Sequence, residues 1–427
     1  MQFEVMGECD SPLPFMENQQ LIPHLFRTEY RKITAVLCKL LGIEHIEVAE
    51  DIASDTFLAA SELWGIKGLP ENPVAWLYTV AKNKAKNQLK RDAVFNEKIA
   101  AQLRRSTNSA EEFEIDLSSQ NITDSQLQMM FAICHPAISS EAQIGLALRI
   151  LCGFGIEEIA DAFLTNKENI NKRLFRAKEK LRAENISIEF PNAEEIDSRL
   201  QSVLRTLYLL FNEGYYSLSH QTVLRKDLCA EAMRLTHMLT ENEQTNMPAV
   251  NALLALMSFQ ASRFDARVDP QGEMILYDDQ DESLWNAELI AQGEHYMNLA
   301  STGNNLSQYH LEAGIAFWHT LKTDCIEKWE SILQLYNHLL SLEYSPVAAL
   351  NRTYAFSKAR GKEAAIVEAE KLELNDHYLY QALLGELYSG IDNGKAVSHF
   401  KNALRLCRST TDWGLLKRKI GKLETRI

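Results

Sequence analysis

The sequence predicts an all-α protein with more than one domain. Apolar residues recur every three or four positions through most of the chain, which is the period of amphipathic helices. At 427 residues the chain is too long for one ordinary core, so two or three domains are expected. Its 46% hydrophobic and 24% charged residues match a folded globular protein, and no apolar run reaches the ~20 residues of a membrane helix.

The N-terminus and the cysteines indicate where such a protein would work. Residues 1–20 lack the basic flank and the apolar run of a secretory signal. The seven cysteines are scattered and form no CxxC pair. We therefore expect a cytoplasmic protein with reduced thiols, no zinc site and no membrane partner.

Two amphipathic helices are predicted near the N-terminus. Residues 49–64, AEDIASDTFLAASELW, place their apolar side chains on one face. The loop GIKGLPEN follows, and Asn72 caps a second helix that has Pro73 at its first position. That helix has an inner row at Leu77, Ala81 and Ala85 and an outer row at Lys82, Lys86 and Lys90.

A linker and a helix–turn–helix are predicted next. Residues 106–125 are polar and acidic and have no helical period, which indicates a linker between two small helical domains. In residues 155–181, Ala160 is small enough to let two helices approach closely, and LTN at 164–166 makes the turn. Ile170 follows Ala160 at the spacing of a helix–turn–helix core.

The second helix of this pair is strongly basic. The chain has a formal net charge of −14, yet from Lys167 to Arg182 seven basic residues stand against two acidic ones. A local basic stripe is what a nucleic-acid contact requires, with the first side chains on base edges and the rest on phosphates. The alternative is a solvated helix that forms salt bridges with Glu157, Glu158 and Asp161.

Beyond Pro191 the sequence again predicts helices. Residues 349–372 and 380–404 each contain a helix, a turn with glycine and an alanine-rich helix, close to the ~34-residue period of a tetratricopeptide repeat. In the second segment, Ala396, Phe400 and Ala403 have the spacing of that repeat's second helix. A helical-repeat domain is therefore expected at the C-terminus.

Taken in order, these segments resemble a known family. The helix AEDIASDTFLAASELW, the glycine-rich loop, the helix NPVAWLYTVAKNKAKNQLKR, the acidic linker and the helix–turn–helix resemble the sigma-70 family, specifically its extracytoplasmic-function (ECF) group, over residues 25–185. The resemblance implies a specificity subunit of bacterial RNA polymerase that is not itself an enzyme and has no cofactor. It places region 2 at 20–105, the linker at 106–125 and region 4 at 126–188.

The resemblance also assigns the contact with core RNA polymerase. The helix that holds Glu50, Asp51 and Asp55 would dock on the β′ clamp helices, and the β flap is a further expected partner. Asp51 and Asp55 are like charges one turn apart on the predicted exposed face, which favours a basic partner. A solvated acidic face is the alternative. The linker would follow the RNA path of the polymerase, although a plain tether explains it equally well.

Promoter DNA is the second partner that the resemblance implies. In the family, the loop 65–72 and the helix after it bind and melt the −10 element, which needs aromatic surfaces for bases and cations for phosphates. The matching residues are Trp64, Asn72, Tyr78, Lys82, Asn83, Lys84, Lys86, Asn87, Lys90 and Arg91. Trp76 is expected in the core instead. The −35 element is assigned to Lys167, Glu168, Asn169, Asn171, Lys172, Arg173 and Arg176.

The chain continues past residue 190, where a minimal ECF factor would end. Residues 131–164, the segment that begins IEFPNAEEIDSRLQ, and DDQDESLWNAELIAQG resemble an ECF subgroup with a tetratricopeptide-like extension. This implies that residues 189–427, repeat-like towards 345–427, regulate activity through a peptide, a protein or intramolecular docking.

The extension also contains clustered acidic residues. Glu213, Asp278, Asp279 and Asp281 could form a metal or catalytic site, but no HExxH, phosphate loop or GxSxG accompanies them. We expect these residues to pack or to cap helices, with a ligand or peptide site as the alternative, and we assign no catalytic or metal-binding residue.

A different class of function stays open from the sequence. A conventional helix–turn–helix regulator with a ligand-sensing repeat domain would bind duplex operator tightly without polymerase. A third hypothesis, an enzyme fused to a DNA-binding module, is supported by no motif.

Overall fold

The protein is all-helical, as predicted. The computed structural model describes residues 18–95, 115–215, 222–267, 275–303, 305–407 and 410–425, and within these ranges every regular element is a helix. None of the described helices is long and apolar enough to cross a bilayer. The chain divides into two compact units, Met1–Thr206 and Leu207–Ile427.

The first unit begins with three long helices and continues with shorter ones. Its described helices are α1 (Asn18–Leu41), α2 (Ile46–Lys67), α3 (Pro73–Phe95), α4 (Ser119–Ile133), α5 (Ser140–Leu146), α6 (Ile156–Ala162), α7 (Lys167–Ala183) and the first half of α8 (Ile196–Tyr215). A short 3-10 turn, Ile43–His45, precedes α2, and α5 continues into a π turn, Ala147–Leu151.

Helix α1 joins the two parts of this unit. It packs against α2 and α3, and also against α4 and the π turn. Its side chains Tyr30 and Ile33 are completely buried. The helices before and after the expected linker therefore share one core, whereas the sequence predicted two separate small domains.

Helix α3 begins and faces the core as its sequence predicts. The Ala75 N–H donates to Asn72 Oδ1 at 3.0 Å and α3 starts at Pro73, which confirms the predicted cap. The inner row of α3 is confirmed as well, because Leu77, Ala81 and Ala85 have no exposed surface.

The expected linker ends earlier than the sequence predicted. Residues 96–114 lie outside the described part of the chain, residues 115–118 are not helical, and α4 begins at Ser119. Residues 119–125 therefore belong to a helix, capped by Ser118. The polar composition of residues 119–125 concealed the first part of this helix, because Ile122 is the one apolar side chain that this part contributes to the core.

The boundary between the units falls inside α8. Arg199 Nη2 donates to the Phe131 carbonyl at 2.7 Å, and Thr206 Oγ1 donates to Gln143 Oε1 at 2.8 Å. The first half of α8 is thus part of the first unit, which ends at Thr206 and not at the expected residue 188.

The second unit is a series of helices that pack against their neighbours in the chain. Its described helices after α8 are α9 (Thr222–Thr240), α10 (Pro248–Ala261), α11 (Ala287–Ala300), α12 (Gln308–Trp318), α13 (Ile326–Leu342), α14 (Pro346–Arg360), α15 (Lys362–Glu370), α16 (Tyr378–Tyr388), α17 (Asn393–Leu406) and α18 (Thr410–Glu424). Two 3-10 turns, Tyr277–Asp279 and Glu282–Leu284, lie between α10 and α11.

Helices α14 to α17 occupy the two segments that the sequence predicted as helix pairs. Ala396, Phe400 and Ala403 are buried in a cluster shared by α14 to α18. Gly385 of α16 lies against Phe400, since a Cβ atom at Gly385 would come within 2.7 Å of that ring. This close approach explains a glycine inside a helix. The helical pairs are confirmed, and the type of repeat stays a prediction.

Candidate functional site

Helix α7 exposes a polar face and buries an apolar face. Asn166 caps its first turn by accepting from the Asn169 N–H at 2.9 Å. The inner face consists of Ile170, Leu174, Ala177 and Leu181, all buried. The residues assigned to −35 recognition lie mainly on the outer face: Lys167, Glu168, Asn169, Asn171, Lys172 and Arg176 are exposed, and Arg173 is half-buried.

Salt bridges neutralise little of that face. Lys167 pairs with Glu157, in line with the alternative interpretation of a salt-bridged helix. Arg173 lies over the Phe163 ring, with Cζ 5.1 Å from its centroid, so its side chain is held against the turn. Within the described residues, no carboxylate lies in salt-bridge range of Lys172 or Arg176. The cations in the middle of α7 are therefore available to a ligand.

Phe175 is a residue of this face that the sequence analysis missed. Its side chain is 60% exposed, although phenylalanine is usually buried. It lies one helical turn after Asn171, so it shares the polar face. An aromatic residue inside a basic stripe was the available signal.

The acidic residues of α2 separate into two groups. Asp51 and Asp55 are exposed, as expected, and Lys84 Nζ lies 3.5 Å from Asp55 Oδ2. Glu50 is different: its side chain is only 7% exposed. Arg149 Nε donates to Glu50 Oε1 at 2.7 Å, and Lys178 Nζ lies 2.5 Å from Glu50 Oε2. In this structure Glu50 is therefore buried and paired, and its role in polymerase docking stays a prediction.

More ion pairs surround Glu50. Arg182 pairs with Glu47, and Lys178 Nζ lies 3.5 Å from Glu47 Oε1. Burial would raise the pKa of Glu47, but backbone hydrogen bonding and the charges of Lys178 and Arg182 lower it overall. We call Glu47, Glu50, Arg149, Lys178 and Arg182 the Glu50 cluster. Its ion pairs join α2 to α7 and to the π turn.

Arg149 is the centre of that cluster. It also donates to the Tyr30 hydroxyl at 3.2 Å and to the Phe154 carbonyl at 3.2 Å. Burial would lower the pKa of Arg149, but the neighbouring Tyr30 and Glu50 raise it, so the guanidinium stays charged. A signal for Glu50 was present in the sequence, because it follows Ile46 by one turn and both face inward.

The residues assigned to the −10 element are unevenly exposed. Trp64 is only 7% exposed and packs edge-on against Trp76, with ring centroids 5.3 Å apart. Trp76, which was expected in the core, is half-buried, and Trp64 is the more buried of the two. The Tyr78 hydroxyl donates to Glu29 Oε2 at 2.6 Å. In this structure, therefore, the Trp64 ring is buried and the Tyr78 hydroxyl is occupied by Glu29.

The polar members of the same set remain accessible. Asn83, Asn87, Lys90 and Arg91 are exposed along α3, together with Asn72, whose side chain caps the helix. Lys82, Lys84 and Lys86 are half-buried. The last turn of α2, which extends to Lys67 and so includes the first residues of the predicted loop, adds Ile66, which is 84% exposed and was not predicted. An apolar side chain of this kind can insert between bases.

Comparison with known proteins identifies the first part of this site. Residues 25–94 match the family model described as sigma-70 region 2. Residues 25–94 are thus a sigma-70 region 2 domain. This domain comprises most of α1, all of α2 and nearly all of α3.

A later segment of the chain matches a different model. Residues 199–301, which begin in the last part of the first unit, match a family of unknown function, DUF6596. The chain is also 31% identical over 391 residues to an uncharacterized protein of Rhizobium meliloti (strain 1021), covering 89% of this chain and 90% of that protein. The two proteins belong to one family. No solved structure matches.

The clustered acidic residues that follow α7 in the chain form no metal site in the described residues. No group of three or more His, Cys, Asp or Glu side chains there is arranged to hold a metal ion. Asp281 instead caps a 3-10 turn by accepting from the Ser283 N–H at 2.9 Å, which lowers the pKa of Asp281. Asp278 and Asp279 are exposed. Capping by Asp281 agrees with the expectation from the sequence.

Proposed function

We propose that this protein is an RNA polymerase sigma factor of the ECF type. It binds core RNA polymerase through region 2, recognises the −10 element with the 65–72 loop and α3, and recognises the −35 element with α7. The observation that carries the proposal is a sigma-70 region 2 followed, in the same compact unit, by two helices joined by a short turn, the second with exposed cations.

Docking on the polymerase is assigned to Asp51 and Asp55. Both are exposed one turn apart on α2, where the basic side of a partner helix would relieve their repulsion. Phe175, with Asn171 and Lys172 beside it, supplies an apolar contact suited to a thymine methyl group in the major groove. The exposed Ile66 and the cations of α3 suit a melted −10 strand.

Co-elution with core RNA polymerase that lacks sigma tests the proposal. The full chain should form a complex in size exclusion, and Asp51→Arg/Asp55→Arg should lose it. The matched control is Glu44→Arg/Glu62→Arg, which makes the same charge change at two other exposed residues of this region and should keep the complex. No complex with wild-type chain, together with tight binding to promoter duplex alone, would favour the conventional regulator.

The packed first unit has to open for both promoter elements to be bound together. The elements are about 25 base pairs apart, or ~85 Å of duplex. A compact unit of 206 residues has a radius of gyration of only ~17 Å. We therefore infer that region 2 and α7 separate on the polymerase, which breaks the Glu50 cluster and frees Glu50.

We further propose that the second unit regulates this activity. A protein shortened to residues 1–215 tests this role, because a cut at 190 would remove Arg199 and Thr206, which belong to the first unit. The shortened protein should differ from the full chain in core affinity or in transcription from its promoter. Equal values of both would exclude a regulatory second unit.

A further inference from the structure

A cluster of cations and aromatic rings lies inside the second unit, away from region 2 and α7. It gathers side chains from the end of α10, from the two 3-10 turns, from the end of α12 and from the start of α13. We call it the Lys328 cluster; its members are Arg263, Tyr277, Trp285, His319, Lys328 and Trp329.

Lys328 is a buried cation without an anion beside it. The residue is only 1% exposed. Its Nζ donates to the Tyr277 hydroxyl at 2.9 Å and to the Leu321 carbonyl, so two of its three N–H groups have acceptors. Within the described chain, no carboxylate lies in salt-bridge range of this ammonium. Asp324, the nearest candidate, instead accepts from Trp329 Nε1 and lies 3.5 Å from Lys358 Nζ.

Burial makes this arrangement unfavourable for the protein alone. It lowers the pKa of Lys328, against the opposing effect of Asp324 and other acidic groups. A buried charge normally has a counter-ion or a full set of hydrogen bonds. Lys328 therefore lacks the counter-ion that a buried charge normally has.

Arg263 adds a second cation to the same place. Its Cζ lies 5.4 Å from the Tyr277 ring centroid and 5.9 Å from that of Trp285. In the part of the chain that is described, no carboxylate pairs with it either. Burial, together with the charges of Arg263 and Lys328, lowers the pKa of His319 to about 3, so its imidazole is neutral at pH 7.

The cluster also contains buried polar atoms without partners. Arg263 Nε, Trp285 Nε1 and His319 Nδ1 belong to its members, and Gln280 Oε1 belongs to a residue between the two 3-10 turns; all four are buried and have no hydrogen-bond partner. Gln280 is itself only 5% exposed, and its Nε2 donates to the Ile275 carbonyl at 3.4 Å. Buried polar groups in folded proteins are nearly always satisfied, so several orphans in one cluster indicate a missing polar occupant.

We propose that the Lys328 cluster is a binding site for a small oxyanion, the carboxylate or phosphate group of a low-molecular-weight ligand. Lys328 and Arg263 supply the charge, and Trp285 Nε1 supplies a neutral donor. Charge-assisted hydrogen bonds of these types are the strong ones for carboxylates and phosphates. A metal ion does not suit the cluster, because its two permanent charges are positive and Asp278 and Asp279 are exposed.

Thermal unfolding of the full chain tests this proposal, with inorganic phosphate and succinate as probes and sodium chloride at equal ionic strength as the reference. At saturation, at least one probe should raise the melting temperature by about 3 °C or more over the chloride reference. The quenching of tryptophan fluorescence should saturate over the same concentrations, since Trp285 and Trp329 belong to the cluster. A response to phosphate alone or to succinate alone identifies the source of the oxyanion.

Matched variants locate the effect. Lys328→Met and Arg263→Gln should each abolish the shift, whereas Lys401→Met and Arg360→Gln, the same changes at exposed residues of the same unit, should retain it. Without any oxyanion, Lys328→Met should melt at or above the wild-type temperature, because it removes an unpaired buried charge. The proposal is overturned if neither probe exceeds chloride, or if both cluster variants keep the full shift.

Discussion

Lys178 Nζ of helix α7 lies 2.5 Å from Glu50 Oε2 of helix α2, and both side chains are buried. Glu50 belongs to region 2, and Lys178 belongs to the helix assigned to −35 recognition. One ion pair thus joins two parts of the chain that, under the proposed function, a promoter would hold far apart. The pair links the stability of the first unit to its proposed activity.

Replacing Lys178 should weaken the first unit and favour its open form. Lys178→Met leaves Glu50 buried with Arg149 alone, and breaking a buried pair in this way costs about 3 kcal/mol. Urea unfolding followed by far-UV circular dichroism should show a transition at lower urea concentration, with the free energy of unfolding reduced by this amount. If the closed form limits docking, the affinity for core RNA polymerase should rise, since the docking-competent fraction increases.

The control for this variant lies on the same helix. Lys180→Met removes a lysine at an exposed position and should change stability by less than about 0.5 kcal/mol. Lys178→Met that unfolds like wild type would mean that the pair contributes nothing to stability. A less stable variant with weaker core binding would exclude the inferred opening.

Arg176 should contribute a phosphate contact to promoter binding. Arg176→Gln in the complex with core polymerase should weaken binding to all promoter sequences alike and reduce the salt slope by about 0.9, the value for one phosphate. Filter binding or fluorescence anisotropy over a series of salt concentrations measures both effects. Arg405→Gln, at an exposed residue of α17, should change neither. An altered base preference with an unchanged salt slope would assign Arg176 to the bases instead.

Glu312 should make the second unit less stable as the pH rises. Burial raises its pKa to about 7, although a hydrogen bond from Tyr208 opposes the shift. Because the folded-state pKa lies above the unfolded value, this stabilising effect is fully present below about pH 4.5 and is lost by pH 7. Glu312→Gln does not titrate, so its stability relative to wild type should rise by about 3 kcal/mol between pH 4.5 and pH 8.

Denaturant unfolding at several pH values measures this difference. Glu327→Gln, the same change at an exposed residue of α13, is the matched control. A constant difference between Glu312→Gln and wild type would show that Glu312 does not titrate in this range.

Gly385 should tolerate no side chain. In Gly385→Ala the new methyl group would meet the Phe400 ring at 2.7 Å between two packed helices, and such overpacking costs about 1–3 kcal/mol. Gly421→Ala is the matched control, because nothing lies within 4 Å of a Cβ atom there and alanine favours a helix by about 1 kcal/mol. Thermal unfolding should thus shift in opposite directions in the two variants. A neutral Gly385→Ala would mean that the pair of helices separates easily.

The sequence by itself determined the local features of this protein. The all-helical class, the Asn72 cap and the buried row of α3 follow from period and capping, which act over a few residues. The exposed cations of α7 were predicted for the same reason, because their helix has a strong apolar face that fixes its orientation.

Only the tertiary structure decided which charged and aromatic residues are hidden. Glu50 and Trp64 were expected to be available, yet partners from distant parts of the chain bury them. The Lys328 cluster likewise joins residues on separate helices and turns. Pairing between distant residues leaves no periodic signal in the chain, since it depends on how whole helices pack. The charges were visible in the sequence, but their partners were set by packing.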